Sequence, residues 1–451
     1  MKAWVVYLVL IVATVVSAQE PDTLWTKTLG GIYNDYGRCV IQSADGGYVM
    51  TGWTTSWGAG NTDVCIIKTD SLGNTLWIKF YGGTGWDYGN SIVQTSDFGY
   101  VIAGFTNSFG VAGTNIYLLK TDSLGDTLWT KTYGGIDNCY GYAVVATPDG
   151  GYLITGSRYG TSLDVLLVRT DSLGTVLWTK TYGGPELDEA RSIALTADGG
   201  CIVAATTSSF GSGLYDVYVL KCDSLGDTLW TRTYGGIYDD CGYSVIALPN
   251  GDFIIAGETS SFLGPGYEDV YLIRIKGDGD TLWTKTYGGT ESDMSYSAVL
   301  SSDMGCVITG QTYSLGAGYG DVYVVKTDSL GNLLWTKTYG GSDHDYGYSI
   351  AKTTDGGYII VGSTTSFGAG CNDIWLLKMG PDVGVVEYES STVHKTGITA
   401  TIFGGPLQLR GNKKCKVLDI TGRVVEPENT RTGVYFIEVD GVVIQKVVKV
   451  K

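Results

Sequence analysis

One tryptophan recurs along most of the chain. It sits in the string L-W-T-K-T-Y-G-G or a close variant, at positions 25, 77, 129, 178, 230, 283 and 335. A period near 50 residues built from short β-like runs belongs to a propeller or a solenoid. The unit 77–128 shows what repeats. It holds four runs rich in β-branched and aromatic residues: Tyr88–Thr95, Tyr100–Thr106, Asn115–Thr121 and Asp126–Thr132. Gly, Asp and Asn turns separate them. Four strands per unit make a propeller blade, with strands A to D in chain order.

The ends of the chain set the count. Strand A recurs at roughly 38–43, 88–95, 141–147, 191–196, 242–248, 295–301 and 347–353, so there are seven blades. No strand D follows the last strand C, at 373–378, but residues 22–28 carry the strand D string ahead of the first strand A. The N-terminal strand is therefore expected to complete the seventh blade and close the ring, hiding two edges that would otherwise pair with other chains. Turn chemistry agrees. The A–B turn reads D-G-G-Y at 45–48, 149–152 and 355–358, and Asp-Gly supplies the positive φ of a tight hairpin. The C–D turn reads D-S-L-G, as in 122–125, and the strand D Trp is large and regularly placed, so it is expected to pack between blades.

This C–D hairpin, with Asp122, Gly125 and Trp129, resembles the tryptophan-docking hairpin of quinoprotein-type propellers and, more loosely, the Asp-box hairpin. The spacing differs from both, and those quinoproteins have eight blades. The resemblance implies fold only, with no cofactor or activity.

Residues 1–18 read as a secretory signal peptide: Lys2, an apolar run from Trp4 to Val15, and small residues Ser17-Ala18 before Gln19. The propeller then spans 19–380 and a linker 381–395. A small β-sandwich is expected over 396–451. Its marks D-I-T-G-R (419–423), G-V-Y-F (433–436) and the terminal K-V-V-K-V-K resemble the C-terminal sorting domain of type IX secretion substrates. The Asn-Pro usual near the start of that domain is absent. The resemblance implies export, passage across an outer membrane through secretion machinery, and release or attachment at the cell surface. Charge also divides the chain. Residues 395–451 carry +5, ten Lys/Arg against five Asp/Glu, which leaves −21 on the rest of a chain whose total is −16.

Composition narrows the function. A net charge of −16 argues against a nucleic-acid partner. His344 and His394 are the only histidines, which disfavours His-rich metal sites and Ser-His-Asp catalysis. No Walker loop, GxSxG elbow or zinc pattern occurs. The nine Cys form no CxxC pair and read mainly as small buried hydrophobes. No cofactor is expected; calcium is the one ion the Asp-rich loops suggest.

The repeats act as their own control, because a residue present in every blade is expected to be structural. Asp follows the D–A Gly-Gly at 35, 87, 188, 240, 293 and 345, with Cys139 in the remaining place and Asp137 nearby. Strand C opens with Asp63, Asn115, Asp164, Asp216, Asp269, Asp321 and Asp373. Both rings read as loop-fixing carboxylates. The B–C loops hold Trp57, Phe109, Tyr159, Phe210, Phe262, Leu315 and Phe367, either anchors between blades or stacking platforms for sugars or peptides. The B–C and D–A loops share one face, where any ligand is expected. Blade-unique candidates there are Trp86, Glu186, Glu189, Arg158, Glu268, Glu291 and His344.

The chain is thus expected to be an exported binding or adhesion propeller without catalysis, with Trp57, Trp86, Phe109, Tyr159, Phe210, Phe262 and Phe367 toward a glycan or protein ligand. The rivals are a glycoside hydrolase using Glu186 and Glu189, and a structural surface-layer component.

Overall fold

A computed structural model describes residues 21–262, 267–382, 400–404, 415–419, 423–425, 433–439 and 442–450. The signal peptide read at 1–18 and most of the linker lie outside the described residues. The chain divides into two units, 1–382 and 383–451. No helix among the described residues is long and apolar enough to cross a membrane.

The first unit is a seven-bladed propeller of four-stranded antiparallel sheets. Blade 1 is typical, with strands Asp35–Gln42, Tyr48–Thr54, Asp63–Thr69 and Thr75–Tyr81 for A to D. Blade 7 is closed as expected. The N-terminal strand Thr23–Leu29 pairs antiparallel with Asp373–Met379, and Gly380 N–H donates to the Asp22 carbonyl at 2.8 Å.

Strand A lies at the inner end of each sheet, and successive A strands contact one another around the axis. In six blades it begins at the Asp of the D–A loop, a few residues earlier than the hydrophobic pattern indicates. The reason is a bond between blades. The Asp35, Asp87, Asp240 and Asp345 N–H groups donate to the Asn372, Thr62, Tyr215 and Gly320 carbonyls at 2.7–2.9 Å, and each carbonyl lies at the start of strand C in the preceding blade.

Strands B and C are buried on both faces and read as continuous apolar runs, Tyr-Val-Ile-Ala at 100–103 and Ile-Tyr-Leu-Leu at 116–119 among them. The hydrophobic clusters form between neighbouring blades. At the outer edge, the strand D Trp lies on the C–D turn glycine of the next blade: Trp25 on Gly73, Trp77 on Gly125, Trp129 on Gly174. The Tyr at the end of the same strand D donates its hydroxyl to that glycine's carbonyl, Tyr133 to Gly174 at 2.7 Å and Tyr287 to Gly331 at 2.6 Å. Any side chain on these glycines would strike the indole.

The A–B turns are pinned from beneath by buried cations, a feature the sequence reading did not anticipate. Lys326 is 1% exposed; its ammonium meets Asp303 and Ser301 Oγ, and donates to the Thr327 carbonyl at 2.8 Å. Lys68, Lys120, Lys221 and Lys378 repeat this on Asp45, Asp97, Asp198 and Asp355, and Arg169 and Arg274 substitute on Asp149 and Asp252. The Lys221 ammonium and the Thr196 hydroxyl hold Asp198 down to about 2.

In the second unit the described residues form one five-stranded sheet, in the order Ala400–Gly404, Val442–Val450, Gly433–Val439, Cys415–Asp419, Val424–Val425. The first pair is parallel and the others antiparallel. The rest of the expected sandwich lies outside the described residues.

Candidate functional site

The two Asp rings fix loops. Asp87 accepts from Gly83 N–H at 2.9 Å and Ser108 Oγ at 2.6 Å; Asp188, Asp240, Asp293 and Asp345 each repeat the pair. The strand C Asp turns its own B–C loop, as Asp321 does with the N–H groups of Ala317 and Gly318. A carboxylate of each ring flanks the first glycine of Gly-Gly, so a side chain at Gly82 or Gly340 would meet both. Burial raises Asp63 and Asp216, partly offset by the loop N–H groups, and the facing Asp adds to the rise. No three His, Cys, Asp or Glu side chains gather to hold a metal ion among the described residues.

The loop aromatics stay apart. Phe109 packs on Tyr117, Phe210 on Tyr218, Phe262 on Tyr271 and Phe367 on Trp375, each ring on strand C of its own blade, at 5.5–5.8 Å. Trp57 stacks on Phe80. Tyr159 is exposed at the end of a lengthened strand B. Trp86 is exposed too, its N–H donating to Asn107 Oδ1. Glu186 and Glu291 are exposed on D–A loops, where their N–H groups donate to Ser209 and Ser314. Arg158 binds Asp137 through two N–H groups at 2.7–2.9 Å.

What does converge lies on the channel wall. Each strand A carries a bulge, and the extra residue is Arg38, Asn90, Tyr142, Arg191, Tyr243, Tyr296 or Tyr348. A bulge re-aims its side chain. Six of these residues form an arc. Arg191 lies over the rings of Tyr142 and Tyr243; Tyr243, Tyr296 and Tyr348 follow ring to ring; Arg38 lies over Tyr348 at 4.5 Å.

Nearer the loop face, the second residue of strand A and its partner on strand B differ from blade to blade. In blades 1 and 2 both are aromatic, and in blade 3 Tyr140 stands opposite Ser157. Tyr36 stacks on Trp53 at 4.2 Å, Trp53 meets Tyr88 edge-on at 5.3 Å, Tyr88 stacks on Phe105 at 4.5 Å, and Phe105 meets Tyr140 edge-on at 5.2 Å. His344, stacked with Tyr319 and Tyr346, extends the row on the blade 7 side. In blades 4 and 5 the same positions are Glu189 with Thr206, and Cys241 with Glu258.

Glu189 accepts from the Tyr142 hydroxyl at 2.8 Å and from Arg191 Nη2 at 2.7 Å. Glu258 accepts from the Tyr243 hydroxyl at 2.7 Å, while its Oε2 is buried without a partner. Burial raises the Glu258 carboxyl to about 7; Tyr243 and Arg191 oppose the rise and Glu268 adds to it. Burial and the adjacent carboxylates likewise push the Tyr142 and Tyr243 hydroxyls up. A carboxyl that holds its proton near neutral pH can donate or accept, and beside a guanidinium and two phenols it can grip hydroxyl groups from several sides.

Of the sequence-predicted residues, Glu189 and His344 belong to this wall. Glu186 does not. Tyr36, Trp53, Tyr88, Phe105, Tyr140, Arg191, Tyr243 and Glu258 were missed. The signal was present for Glu258, the lone carboxylate in an otherwise apolar strand, Phe253–Thr259, at a position where sister blades have Trp53, Phe105, Thr206, Gln311 and Ser363.

No family model matches the chain. An alignment 217 residues long, covering 45% of this chain and 19% of the other protein, gives 28% identity to "Regulatory protein FlaEY" of Caulobacter vibrioides. Similar solved structures include a fungal alcohol oxidase of the AA5 family in complex with copper, at 12% identity and TM-score 0.49, covering 95% of this chain and 98% of that one. A protein of unknown function from Dyadobacter fermentans has 12% identity and TM-score 0.46, covering 80% and 99%. The α-L-arabinofuranosidase Arb93A of Fusarium graminearum has 11% identity and TM-score 0.45, covering 64% and 92%. None of these likenesses bears on what this chain binds.

Proposed function

We propose that this chain is an exported binding propeller that holds an extracellular ligand, a glycan ahead of a protein, at the loop-side end of its channel, without chemistry. One observation carries the reading: the aromatic row from Tyr36 to Tyr140 shares the channel with two hydrogen-bonded carboxylates, Glu189 held by Arg191 and Glu258 by Tyr243, with the Arg191 guanidinium over the Tyr243 ring. A sugar has an apolar face to stack and hydroxyls to bridge, and this wall offers both. The N-terminal 18 residues and the C-terminal strings support export through a sorting domain to the cell surface or the medium.

The test is a glycan-array screen of the purified chain with mass spectrometry of the bound sugars. Binding without product, lost in Trp53→Ala, is expected. No binding to any glycan, or binding indifferent to Trp53, would overturn the reading. A hydrolase is the second reading, favoured by Glu258 alone: a carboxyl raised to about 7 by burial suits a general acid, with Glu189 as the second carboxylate. Sugar release that disappears in Glu258→Gln would decide for it.

A further inference from the structure

Five of the seven junctions between blades carry an aromatic ring from the B–C loop. At the junctions leading into blades 2, 4 and 7, the B–C ring of the later blade lies against the second glycine of the D–A loop: Phe109 on Gly83, Phe210 on Gly184, Phe367 on Gly341. Each ring also packs, tilted, on the third residue of strand C, Tyr117, Tyr218 or Trp375. At the junction into blade 3 the ring is gone. The B–C connection, 208–215 in blade 4, shrinks to 160–162, and strands B and C run on into a tight hairpin with Tyr159 opposite Leu163. Gly135, in the place of Gly83 and Gly184, has nothing within 4 Å of where a side chain would begin. The hydrogen-bonded set is replaced too: Cys139 stands for the strand A Asp, Asn115 for the facing strand C Asp, and Arg158 for the Thr that caps the loop elsewhere.

These changes open a cleft of about 530 Å³ between blades 2 and 3. Gly135 and Leu166 line it, the counterparts of Gly184 and Tyr218 that flank the Phe210 ring in blade 4, and Cys139 and Val168 add apolar wall. Arg158, its side chain about half exposed and turned to Asp137, stands at the edge. Blade 6 gives an internal comparison. There the ring is cut down to Leu315, and a smaller cleft of about 430 Å³ forms beside Leu315 and Tyr323. A cleft is thus present at both junctions that lack an aromatic ring.

We propose that the cleft between blades 2 and 3 docks an aromatic side chain carried on an extended segment of a partner protein. The molecule itself supplies the argument for the occupant, because the counterparts of these two surfaces, a D–A glycine and the third residue of strand C, hold a phenyl ring in the sister blades. Arg158 is placed to meet a carbonyl or carboxylate of the segment. The site is separate from the channel wall and does not depend on what binds there.

The probe is the chain's own loop as a peptide, acetyl-Thr-Ser-Ser-Phe-Gly-Ser-Gly-amide, after 207–213, with a Phe-to-Ala peptide as control. Titration calorimetry on the full chain is expected to show saturable binding of the first, with the control at least tenfold weaker. Leu166→Trp, which fills the cleft, is expected to abolish binding without lowering the Tm. A second variant with 160–162 replaced by residues 208–215 should also lose binding, and should melt higher. Equal affinity for the two peptides, no binding of either, or full binding by both variants would overturn the proposal. So would a dimer that disappears in Leu166→Trp, which would give the cleft to a second copy.

Discussion

Glu258→Gln tests the polar half of the channel wall through stability alone. The folded protein holds the Glu258 proton up to about pH 7, against 4.5 for an unperturbed glutamate. Between these values the native state binds more protons than the unfolded chain, so stability falls as pH rises through that window and levels off above it. At about 1.4 kcal/mol per pH unit, ionising Glu258 costs about 3 kcal/mol by pH 8. For a propeller of this size that is about 4 °C of Tm. Glutamine keeps an acceptor for the Tyr243 hydroxyl and offers a neutral amide where Oε2 lies buried without a partner. The groups facing it are Tyr243, Cys241, Arg191 and Glu268. Burial first, and Glu258 second, hold the Cys241 thiol and the Tyr243 hydroxyl above the pH 5–8 range. Calorimetric Tm values at pH 5, 6, 7 and 8 for both proteins give the answer. The variant is expected to match the wild type at pH 5 and to exceed it by about 4 °C at pH 8. A difference constant across that range, or one that shrinks as pH rises, would refute the buried, proton-holding carboxyl.

Other consequences are independent of this one. Lys120→Met removes the ammonium that meets Asp97, Thr95 and the Thr121 carbonyl, and should cost about 2 kcal/mol in urea unfolding; a loss under 0.5 kcal/mol would make the pin ornamental. Trp77→Ala removes the indole on Gly125 and should cost about 3 kcal/mol, with an unchanged denaturation midpoint counting against docking as a stabilising device. Phe98 holds a φ of +62° where five of the other A–B turns have glycine and blade 6 has Met304, so Phe98→Gly should stabilise by about 1 kcal/mol. Deleting 19–29 should lower the Tm sharply, since it strips strand D from blade 7. Chelation by EDTA should leave the melting curve in place; a fall of several degrees would put calcium in the Asp-rich loops.

The fold was legible because each blade repeats the same physics. Trp every 50 or so residues, Asp-Gly turns and four apolar runs leave few alternatives, and the unmatched strand at 22–28 identifies the closure. The bulge in strand A was not legible, because Gly-Arg-Cys at 37–39 and Gly-Asn-Ser at 89–91 carry no pattern that separates a bulged strand from a straight one. The bulge nonetheless decides which side chains meet in the channel. The buried lysines were hidden for a related reason: Lys one residue from the end of strand C, just ahead of the C–D turn, reads as a solvated edge charge, and only the register brings it over the Asp of the A–B turn. The loop aromatics were conspicuous in sequence because they repeat, and repetition marks an anchor as readily as a site. Among the residues that converge, tyrosine recurs at 36, 88, 140 and 346, but the strand B position opposite varies among Trp53, Phe105, Ser157 and Ser363. Trp53, Phe105 and Glu258 occupy one position in three blades and share no chemistry a string comparison would join.

The most direct measurement compares two sets of rings. For the glycan that binds best on the array, affinities are measured for the wild type, Trp53→Ala, Tyr88→Ala and Phe210→Ala. The account predicts a loss of tenfold or more for the two channel variants and an unchanged affinity for Phe210→Ala, whose ring packs on Tyr218. Loss confined to Phe210→Ala would move the site out to the loops and contradict the channel wall as the binding surface.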